Sequence, residues 1–181
     1  MTMAFGAVNP GSNPGGAIKL KRHMASHYHK QETAYTCGAA AMRMVLESIG
    51  INKSEKEIAG LLKTNKIRGT WHKNFPIAAE KYKLNYIVGR NAKISGLKNL
   101  KREGYSIILC YYCPAEKIDH YSVLRKIDSK FIYFWDPWFG PNHKYSLNHF
   151  KNIWKSNPKY EKEKKWFIAM KRPASFLPSK P

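Results

Sequence analysis

The chain has 181 residues, and its content of 43% hydrophobic and 13% aromatic residues is typical of a globular protein with a core, which excludes a disordered chain. The formal net charge is +20, from 32 basic and 12 acidic residues, so the electrostatic field attracts anionic partners. The lysines are spread along the whole chain without an aromatic RNA-binding motif, which favours a solvated surface over a dedicated nucleic-acid site. The longest apolar run, residues 107–113, is too short to cross a bilayer, so no transmembrane segment is predicted.

The amino-terminal part of the chain differs in composition from the rest. It is rich in Gly, Pro, Asn and small residues, and it ends in the sequence from His23 to Ser26, which resembles a cloning junction. Residues 1–26 are therefore predicted to be a vector-derived or disordered leader and take no part in the fold prediction. One domain is predicted over residues 27–172, followed by a tail over residues 173–181.

Helical patterns dominate the first half of this domain. An apolar run begins at Cys37 and stops at Gly50, a residue type that commonly follows a helix. The sequence from Ser54 to Glu57 forms a capping box, which predicts a helix start. Pro76 lies early in the next helical pattern, where proline is tolerated. The predicted elements are helices over residues 37–48, from Ser54 through Leu62, over 75–82 and over 95–102, with a short strand over 84–88.

The second half changes to strand-forming residues. Ile, Val, Phe and Tyr are concentrated in three consecutive segments, and Asp128-Ser129 between the last two predicts a hairpin turn. Two prolines and a glycine predict a loop over residues 136–143. The predicted strands span residues 105–112, 119–127, 131–135 and 165–170, and a helix spans 146–154. Helices followed by strands predict an α+β domain in which an N-terminal helical half packs on a C-terminal antiparallel sheet.

Three residues have the chemistry of a nucleophilic site. Cys37 follows a polar segment and begins the first predicted helix, where the helix dipole and free backbone N–H groups favour the thiolate over the thiol. His120 and Asp136 follow much later in the chain. A cysteine, a histidine and a carboxylate can serve as the nucleophile, its base and the group that orients the base.

The predicted hairpin brings His120 and Asp136 together. His120 lies eight residues before Asp128 and Asp136 lies seven residues after Ser129, so antiparallel pairing permits a direct contact. Each residue alone has an ordinary structural explanation: a small buried cysteine, a structural histidine, or a turn-forming aspartate before proline. Their compatible spacing favours the functional interpretation. Gln31 is a fourth candidate, because its side-chain N–H could form an oxyanion hole with the backbone N–H of the nucleophile.

The remaining cysteines are interpreted as structural. The chain has three cysteines, and an odd number argues against a disulfide framework and for a reducing compartment. Cys110 and Cys113 have CxxC spacing but lie in a strand-like run without a second CxxC or a histidine pair, so core or edge-strand positions are favoured over a redox or metal site. No metal or organic cofactor is predicted. The composition suits a cytoplasmic bacterial protein, and an exported effector could share it.

A resemblance to the C39-like cysteine peptidases is carried by three motifs: Gln31-x5-Cys37-Gly38, His120 to Leu124, and Asp136-Pro137. These peptidases are papain-like domains best known as the leader peptidases of bacteriocin-exporting ABC transporters, and the resemblance covers about residues 27–170. It implies a papain-like fold. The roles that it implies are the nucleophile for Cys37, the base for His120, the orienting group for Asp136 and the oxyanion donor for Gln31.

The same resemblance implies a reaction and its partners. It implies hydrolysis of a peptide bond after a Gly-Gly pair in a leader peptide, with an ABC transporter membrane domain as partner at the cytoplasmic face. Thr36 departs from the aspartate that transporter-linked members usually carry before the cysteine, so a stand-alone relative with another substrate is a second interpretation. The same thioester chemistry also serves acyl transfer and deamidation. A non-catalytic basic module that binds an acidic peptide or nucleic acid is a further alternative.

Overall fold

The computed structural model describes residues 27–173, so the predictions for residues 1–26 and 174–181 lie outside the described residues. Within the described part, the chain forms five α-helices and one six-stranded sheet. The helices are α1 (Cys37–Ser48), α2 (Glu55–Leu61), α3 (Phe75–Lys81), α4 (Ile94–Arg102) and α5 (Leu147–Ile153). The strands are β1 (Asn85–Gly89), β2 (Ser106–Cys113), β3 (Ile118–Ile127), β4 (Phe131–Asp136), β5 (Gly140–Ser146) and β6 (Phe167–Lys171).

Helix α1 is buried along most of its length and packs on β2 and β3. Alanine and leucine favour helix, and both Ala39 and Leu46 have no exposed surface. The predicted stop at Gly50 is confirmed. The glycine adopts a φ of 79° and its N–H donates to the Glu47 carbonyl at 2.9 Å, as in a Schellman motif. Cys37 is the first residue of this buried helix, which lies against the two central strands of the sheet.

The starts of the next two helices confirm the local signals in the sequence. Ser54 Oγ accepts a hydrogen bond from the backbone N–H of Glu57 at 3.2 Å. In return, Glu57 Oε2 accepts one from the backbone N–H of Ser54 at 2.9 Å. Pro76 lies in the first turn of α3, where an N–H group has no helical partner to lose. These signals act within one helical turn, so the sequence alone is enough to read them.

The strands pair in the order β1-β6-β2-β3-β4-β5, and all neighbours are antiparallel. The predicted hairpin between β3 and β4 is confirmed. Asp128 Oδ1 accepts hydrogen bonds from the backbone N–H groups of Lys130 at 2.8 Å and Phe131 at 2.7 Å. The register shifts between Leu124 and Lys126 and then places Val123 opposite Trp135, so the end of β4 lies beside the middle of β3.

The predicted loop over residues 136–143 is wrong for much of its length. A turn covers residues 137–139, and β5 then pairs with β4 from Gly140 to Ser146. Pro141 is compatible with this strand because β5 lies at the edge of the sheet and pairs on one side only. Proline and glycine predict a break in regular structure, but these residue types do not distinguish a loop from an edge strand.

Helices cover both faces of the sheet. One core contains buried residues of α1, α2 and α3 with alternate sheet residues, and the second contains those of α4 and α5. Strand β6 shows the alternation, because Ile168 joins the first core and its neighbour Phe167 joins the second. The predicted packing of the N-terminal helices on an antiparallel sheet is confirmed, and α4 and α5 add a layer on the other face. None of the helices in residues 27–173 is long and apolar enough to span a bilayer.

Candidate active site

Cys37 is placed by the start of α1. The preceding turn is closed by Thr36, whose Oγ1 donates to the carbonyl of Thr33 at 3.1 Å and accepts from the backbone N–H of Thr33 at 3.1 Å. The backbone N–H groups in the first turn of a helix have no intrahelical partner, so that of Cys37 is free to bind a negative charge. The side chain is mostly buried, and it lines a cleft of about 310 Å³.

His120 and Asp136 are in direct contact, as the hairpin register predicts. The distance from His120 Nε2 to Asp136 Oδ1 is 2.8 Å. Only 4% of the His120 surface is exposed and Asp136 is completely buried. Because Asp136 engages Nε2, the other ring nitrogen, Nδ1, is left for proton exchange. The contact therefore sets both the orientation of the imidazole and the nitrogen that it can use.

The carboxylate of Asp136 is saturated with hydrogen-bond donors. Besides His120, Oδ1 accepts from the backbone N–H groups of Trp138 and Phe139, both at 2.9 Å. Oδ2 accepts from the hydroxyl groups of Tyr111 at 2.6 Å and Ser122 at 2.7 Å. Burial alone raises the pKa of Asp136, but these donors and the charge of His120 hold it well below its usual range. Asp136 is therefore ionised.

His120 is held in its protonated form by both of its neighbours. Burial lowers the pKa of His120, but hydrogen bonds with Asp136 and Cys37 and the negative charges of the two groups raise it, with a net result of about 10. A cation thus lies between Asp136 and Cys37. A positively charged imidazole beside a cysteine stabilises the thiolate, which is the nucleophilic form.

Tyr111 and Ser122 are site residues that the sequence analysis missed. Ser122 lies two positions after His120 on β3, so both side chains are on the same face of the strand. Tyr111 lies directly opposite His120 in the pairing of β2 with β3. The strand alternation was the available signal for Ser122. The position of Tyr111 depends on the pairing register of β2 with β3, for which the sequence carries no local signal.

Gln31 connects the segment before α1 to the turn after Asp136. Its backbone N–H donates to the carbonyl of Pro137 at 3.0 Å, and its side-chain Nε2 donates to the carbonyl of Thr33 at 2.6 Å. The buried Oε1 atom has no hydrogen-bond partner among the described residues. Nearby, the hydroxyl of Tyr28 donates to the Asp136 carbonyl at 3.1 Å. These contacts tie the start of the domain to the site, while the oxyanion role of Gln31 stays a prediction.

The cleft beside Cys37 is formed by four separate parts of the chain. They are the segment over residues 34–37, the loop over residues 66–71, the start of β3 and the segment that precedes β6. Its walls combine aromatic rings with charged groups of both signs. The lining includes Trp71, Tyr121 and Tyr160, the basic residues Lys66 and Arg68, and the acidic residues Asp119 and Glu161.

A second polar network borders this cleft. His72 is buried, stacks on the indole of Trp166 with 4.1 Å between ring centroids, and contacts Glu161 and Glu163 through Nδ1. One ligand atom from each of these three polar residues lies within 4.8 Å of the others, so in the described part of the chain this set could hold a metal ion. Arg90 also forms an ion pair with Glu163, and the Glu163 carboxylate is therefore already neutralised within the protein.

Cys110 and Cys113 are buried residues of β2 with free thiols, so the predicted core or edge-strand position is confirmed. Burial raises the pKa of the Cys110 thiol well above its usual range, and the nearby carboxylates of Asp119 and Glu161 add to the effect. Cys110 therefore stays an unreactive thiol at neutral pH. The charge of Cys37 contributes to the raised pKa of Cys110.

Comparison with known proteins decides the family. The model of the Peptidase_C39 like family matches residues 24–161. The chain belongs to this family. No curated protein sequence matches it. Residues of the proposed site, from Gln31 to Asp136, all lie within the matched range.

Solved structures of C39-like peptidases share the fold. The peptidase domain of Streptococcus ComA, a bi-functional ABC transporter of a quorum-sensing pathway, is 20% identical, with a TM-score of 0.63 over 80% of this chain and 97% of that one. A putative C39-like peptidase from Bacillus anthracis is 13% identical, with a TM-score of 0.64 over 81% and 94%. A double glycine motif protease from an AMS/PCAT transporter, in complex with the leader peptide, is 22% identical, with a TM-score of 0.60 over 80% and 89%. The predicted papain-like α+β fold is confirmed.

Proposed function

We propose that this protein is a cysteine peptidase in which Cys37 attacks a peptide bond, His120 is the base and Asp136 orients His120. The observation that carries the proposal is the position of the imidazole. Asp136 contacts it at 2.8 Å, Cys37 interacts with the same ring, and Cys37 lines a cleft of about 310 Å³. Membership of the Peptidase_C39 like family supports this chemistry.

The proposed reaction starts from a thiolate at Cys37 and an imidazolium at His120. The sulfur attacks the carbonyl carbon, and the negative charge moves to the carbonyl oxygen. Nδ1 of His120 donates its proton to the leaving amine as the C–N bond breaks, which leaves a thioester. A water molecule then gives a proton to the same nitrogen and attacks the thioester, which releases the acid product and restores the thiolate. Asp136 stays ionised and fixes the imidazole in place.

The proposed oxyanion hole combines two donors. One is the backbone N–H of Cys37 in the first turn of α1. The other is Nε2 of Gln31, which carries two hydrogens and donates one of them to Thr33. The second hydrogen would bind the carbonyl oxygen in the transition state. Gln31→Ala is expected to cost on the order of 3 kcal/mol of transition-state stabilisation, and the loss should fall on kcat much more than on KM.

The proposed substrate is a leader peptide that is cut after a Gly-Gly pair. Two relatives support this extension: one is a double glycine motif protease in complex with a leader peptide, and the other is a peptidase domain of an ABC transporter. An ABC transporter membrane domain is the proposed partner and the cytoplasm the proposed location. A stand-alone peptidase with another substrate is the alternative, because transporter-linked members usually carry aspartate where this chain has Thr36.

Cleavage of synthetic peptides tests the proposal. Peptides that carry an amphipathic leader followed by Gly-Gly are incubated with the protein, and the products are weighed by mass spectrometry. Cleavage is expected with the wild type and with Cys113→Ala, which removes a buried cysteine outside the site, and it should be absent in Cys37→Ala. Full activity of Cys37→Ala would overturn the proposal. Added amine distinguishes hydrolysis from acyl transfer, because capture of the thioester gives an amide of higher mass.

Alkylation of Cys37 provides a test that needs no substrate. Iodoacetamide is expected to label Cys37 faster than Cys110 or Cys113, and the advantage should be greatest at low pH, where ordinary thiols are protonated. In His120→Ala the advantage should be lost. Equal labelling of the three cysteines in a folded protein would contradict the proposed activation of Cys37.

A further inference from the structure

The cleft beside Cys37 contains desolvated negative charge in a strongly basic protein. The chain has a net charge of +20, yet Asp119 and Glu161 both line the cleft that holds the proposed nucleophile. The charges of both carboxylates act on the buried thiol of Cys110, which lies opposite the cleft residue Tyr121 in the pairing of β2 with β3.

Asp119 has little within the protein to stabilise its charge. Oδ1 accepts a hydrogen bond from the backbone N–H of Asn157 at 2.6 Å. Burial raises the pKa of Asp119 to about 6, and this hydrogen bond is what opposes the rise, with no cation of the described residues contributing. Asp119 is therefore ionised at neutral pH and only partly compensated.

Glu161 is in a similar position on the facing segment. Oε1 accepts the backbone N–H of His72 at 3.1 Å. Oε2 lies 3.2 Å from Nδ1 of the buried His72, and only 15% of the Glu161 side chain is exposed. A second, mostly desolvated carboxylate therefore lines the cleft.

Independent evidence for a cation in this cleft comes from Arg68. Its guanidinium lies 4.2 Å from the centroid of the Trp71 ring and 4.5 Å from that of Tyr160. All three residues line the cleft, and the charge of Arg68 reaches Glu161. The aromatic walls and the carboxylate therefore already hold one guanidinium. The same chemistry suits a basic side chain of a bound peptide.

We propose that this cleft is a substrate subsite for a lysine or arginine side chain, and that Asp119 and Glu161 determine the preference. The inference rests on the proposed function, because it takes Cys37 as the attacking group. A substrate cation would compensate Asp119, share Glu161 with Arg68 and lie against aromatic rings, whereas an apolar side chain of the same length would leave Asp119 with only its hydrogen bond from Asn157. Cys37 lines the same cleft, and the proposed Gly-Gly pair carries no side chains, so the preference would apply to a residue that precedes this pair.

The test uses peptidyl chloromethyl ketones, which alkylate a cysteine nucleophile. In an acetyl-polyglycine ketone, lysine, norleucine or glutamate is placed at successive positions on the amino-terminal side of the ketone. The rate of adduct formation at Cys37 is followed by intact mass and peptide mapping. At one position, lysine is expected to label about tenfold faster than norleucine, which has the same chain length without the charge.

The variants Asp119→Asn and Glu161→Gln identify the source of the preference. Both keep an oxygen to accept the hydrogen bonds of Asn157 and His72. Each alone should lower the lysine-to-norleucine ratio, and the double variant should bring it to about one. The matched control is Glu103→Gln, an exposed carboxylate after α4, and it should keep the ratio of the wild type. Circular dichroism and thermal unfolding check the fold of each variant.

The outcomes separate this inference from the proposed function. A lysine-to-norleucine ratio of about one at every position overturns the lysine subsite. So does a ratio that is unchanged in both single variants. If norleucine ketones still label Cys37, the peptidase proposal stands. If glutamate ketones label Cys37 fastest, the lysine subsite is also overturned, and Lys66 and Arg68 of the cleft would instead bind an acidic side chain. Failure of every ketone to label Cys37 faster than Cys113 contradicts both proposals.

Discussion

Asp136 holds His120 from the neighbouring strand, with 2.8 Å between Oδ1 and Nε2 and no solvent contact for the carboxylate. The two residues are 16 positions apart and meet because β3 and β4 form one hairpin. Hydrogen bonds with Asp136 and Cys37 and the negative charges of these two groups explain why the imidazole is protonated. The contact is thus the centre of the proposed chemistry.

Asp136→Asn is expected to lower kcat by about 10³- to 10⁴-fold, because an amide cannot hold the imidazolium or accept the same five hydrogen bonds. The N–H₂ group of asparagine would also face N–H or O–H groups that now donate hydrogen bonds to the Asp136 carboxylate. Asp128→Asn is the matched control, since Asp128 is a partly exposed carboxylate in the hairpin turn and asparagine keeps an oxygen to accept from Lys130; it should leave kcat unchanged. Peptide cleavage rates measure the effect, and equal rates for the two variants would count against the role of Asp136.

Tyr111→Phe and Ser122→Ala each remove one hydroxyl donor to Asp136 Oδ2. Each is expected to lower kcat about tenfold with little change in KM, because the donors position Asp136 and do not touch substrate. Tyr133→Phe, which removes a hydroxyl at the other end of β4, should have no effect on kcat. A change in KM alone would point to a role in substrate binding instead.

The titration of His120 should depend on Cys37. Its pKa is raised from 6.5 to about 10, and the side chain of Cys37 contributes to the rise through a hydrogen bond and through charge. In Cys37→Ala these contributions are lost, so His120 is expected to release its proton at a lower pH. The ¹⁵N chemical shifts of the imidazole, followed against pH, measure the change. An identical titration in the wild type and the variant would show that the two side chains do not interact.

The free energy of unfolding should also depend on the protonation of His120. A folded-state pKa raised from 6.5 to about 10 means that His120 contributes stability fully below pH 6.5 and loses it as the pH rises towards 10. The free energy of unfolding in urea is therefore expected to fall over this range. The fall should be shallower in His120→Gln, which carries no titrating group at this position. Parallel pH profiles for the two proteins would refute the linkage.

Gly38, next to the proposed nucleophile, has no room for a side chain. A Cβ at this position would lie 2.5 Å from Thr70 Oγ1 and 3.2 Å from Phe75 Cζ. Gly38→Ala is expected to lower the free energy of unfolding by about 1–3 kcal/mol and to slow alkylation of Cys37, because Thr70 forms part of the cleft wall.

Gly60→Ala is the control for this substitution. Gly60 lies within α2, and an added Cβ meets nothing within 4 Å. Alanine there should raise the free energy of unfolding by about 0.5–1 kcal/mol and leave the reactivity of Cys37 unchanged. Urea unfolding and alkylation rates measure both variants. Equal destabilisation by the two changes would indicate that contact with Thr70 is not the cause.

Local signals explain which elements the sequence predicted well. The capping box at Ser54, the stop at Gly50 and the turn at Asp128 each act within a few residues, and the structure contains all three. The contact of His120 with Asp136 was also within reach, because a short turn defines the register of a hairpin. Strand β5 was missed because Pro141 signals a break unless the strand is known to lie at an edge.

The sequence by itself determined the local elements, the hairpin that joins His120 to Asp136, and a cysteine at the start of a helix. Only the tertiary structure decided that Tyr111 and Ser122 donate hydrogen bonds to Asp136, and that Asp119 and Glu161 line the same cleft as Cys37. The physical reason is the separation along the chain of the residues that interact. Helix caps and turns depend on neighbours in the chain, whereas burial, the charges that act on a carboxylate and the walls of a cleft depend on segments that meet only when the chain folds.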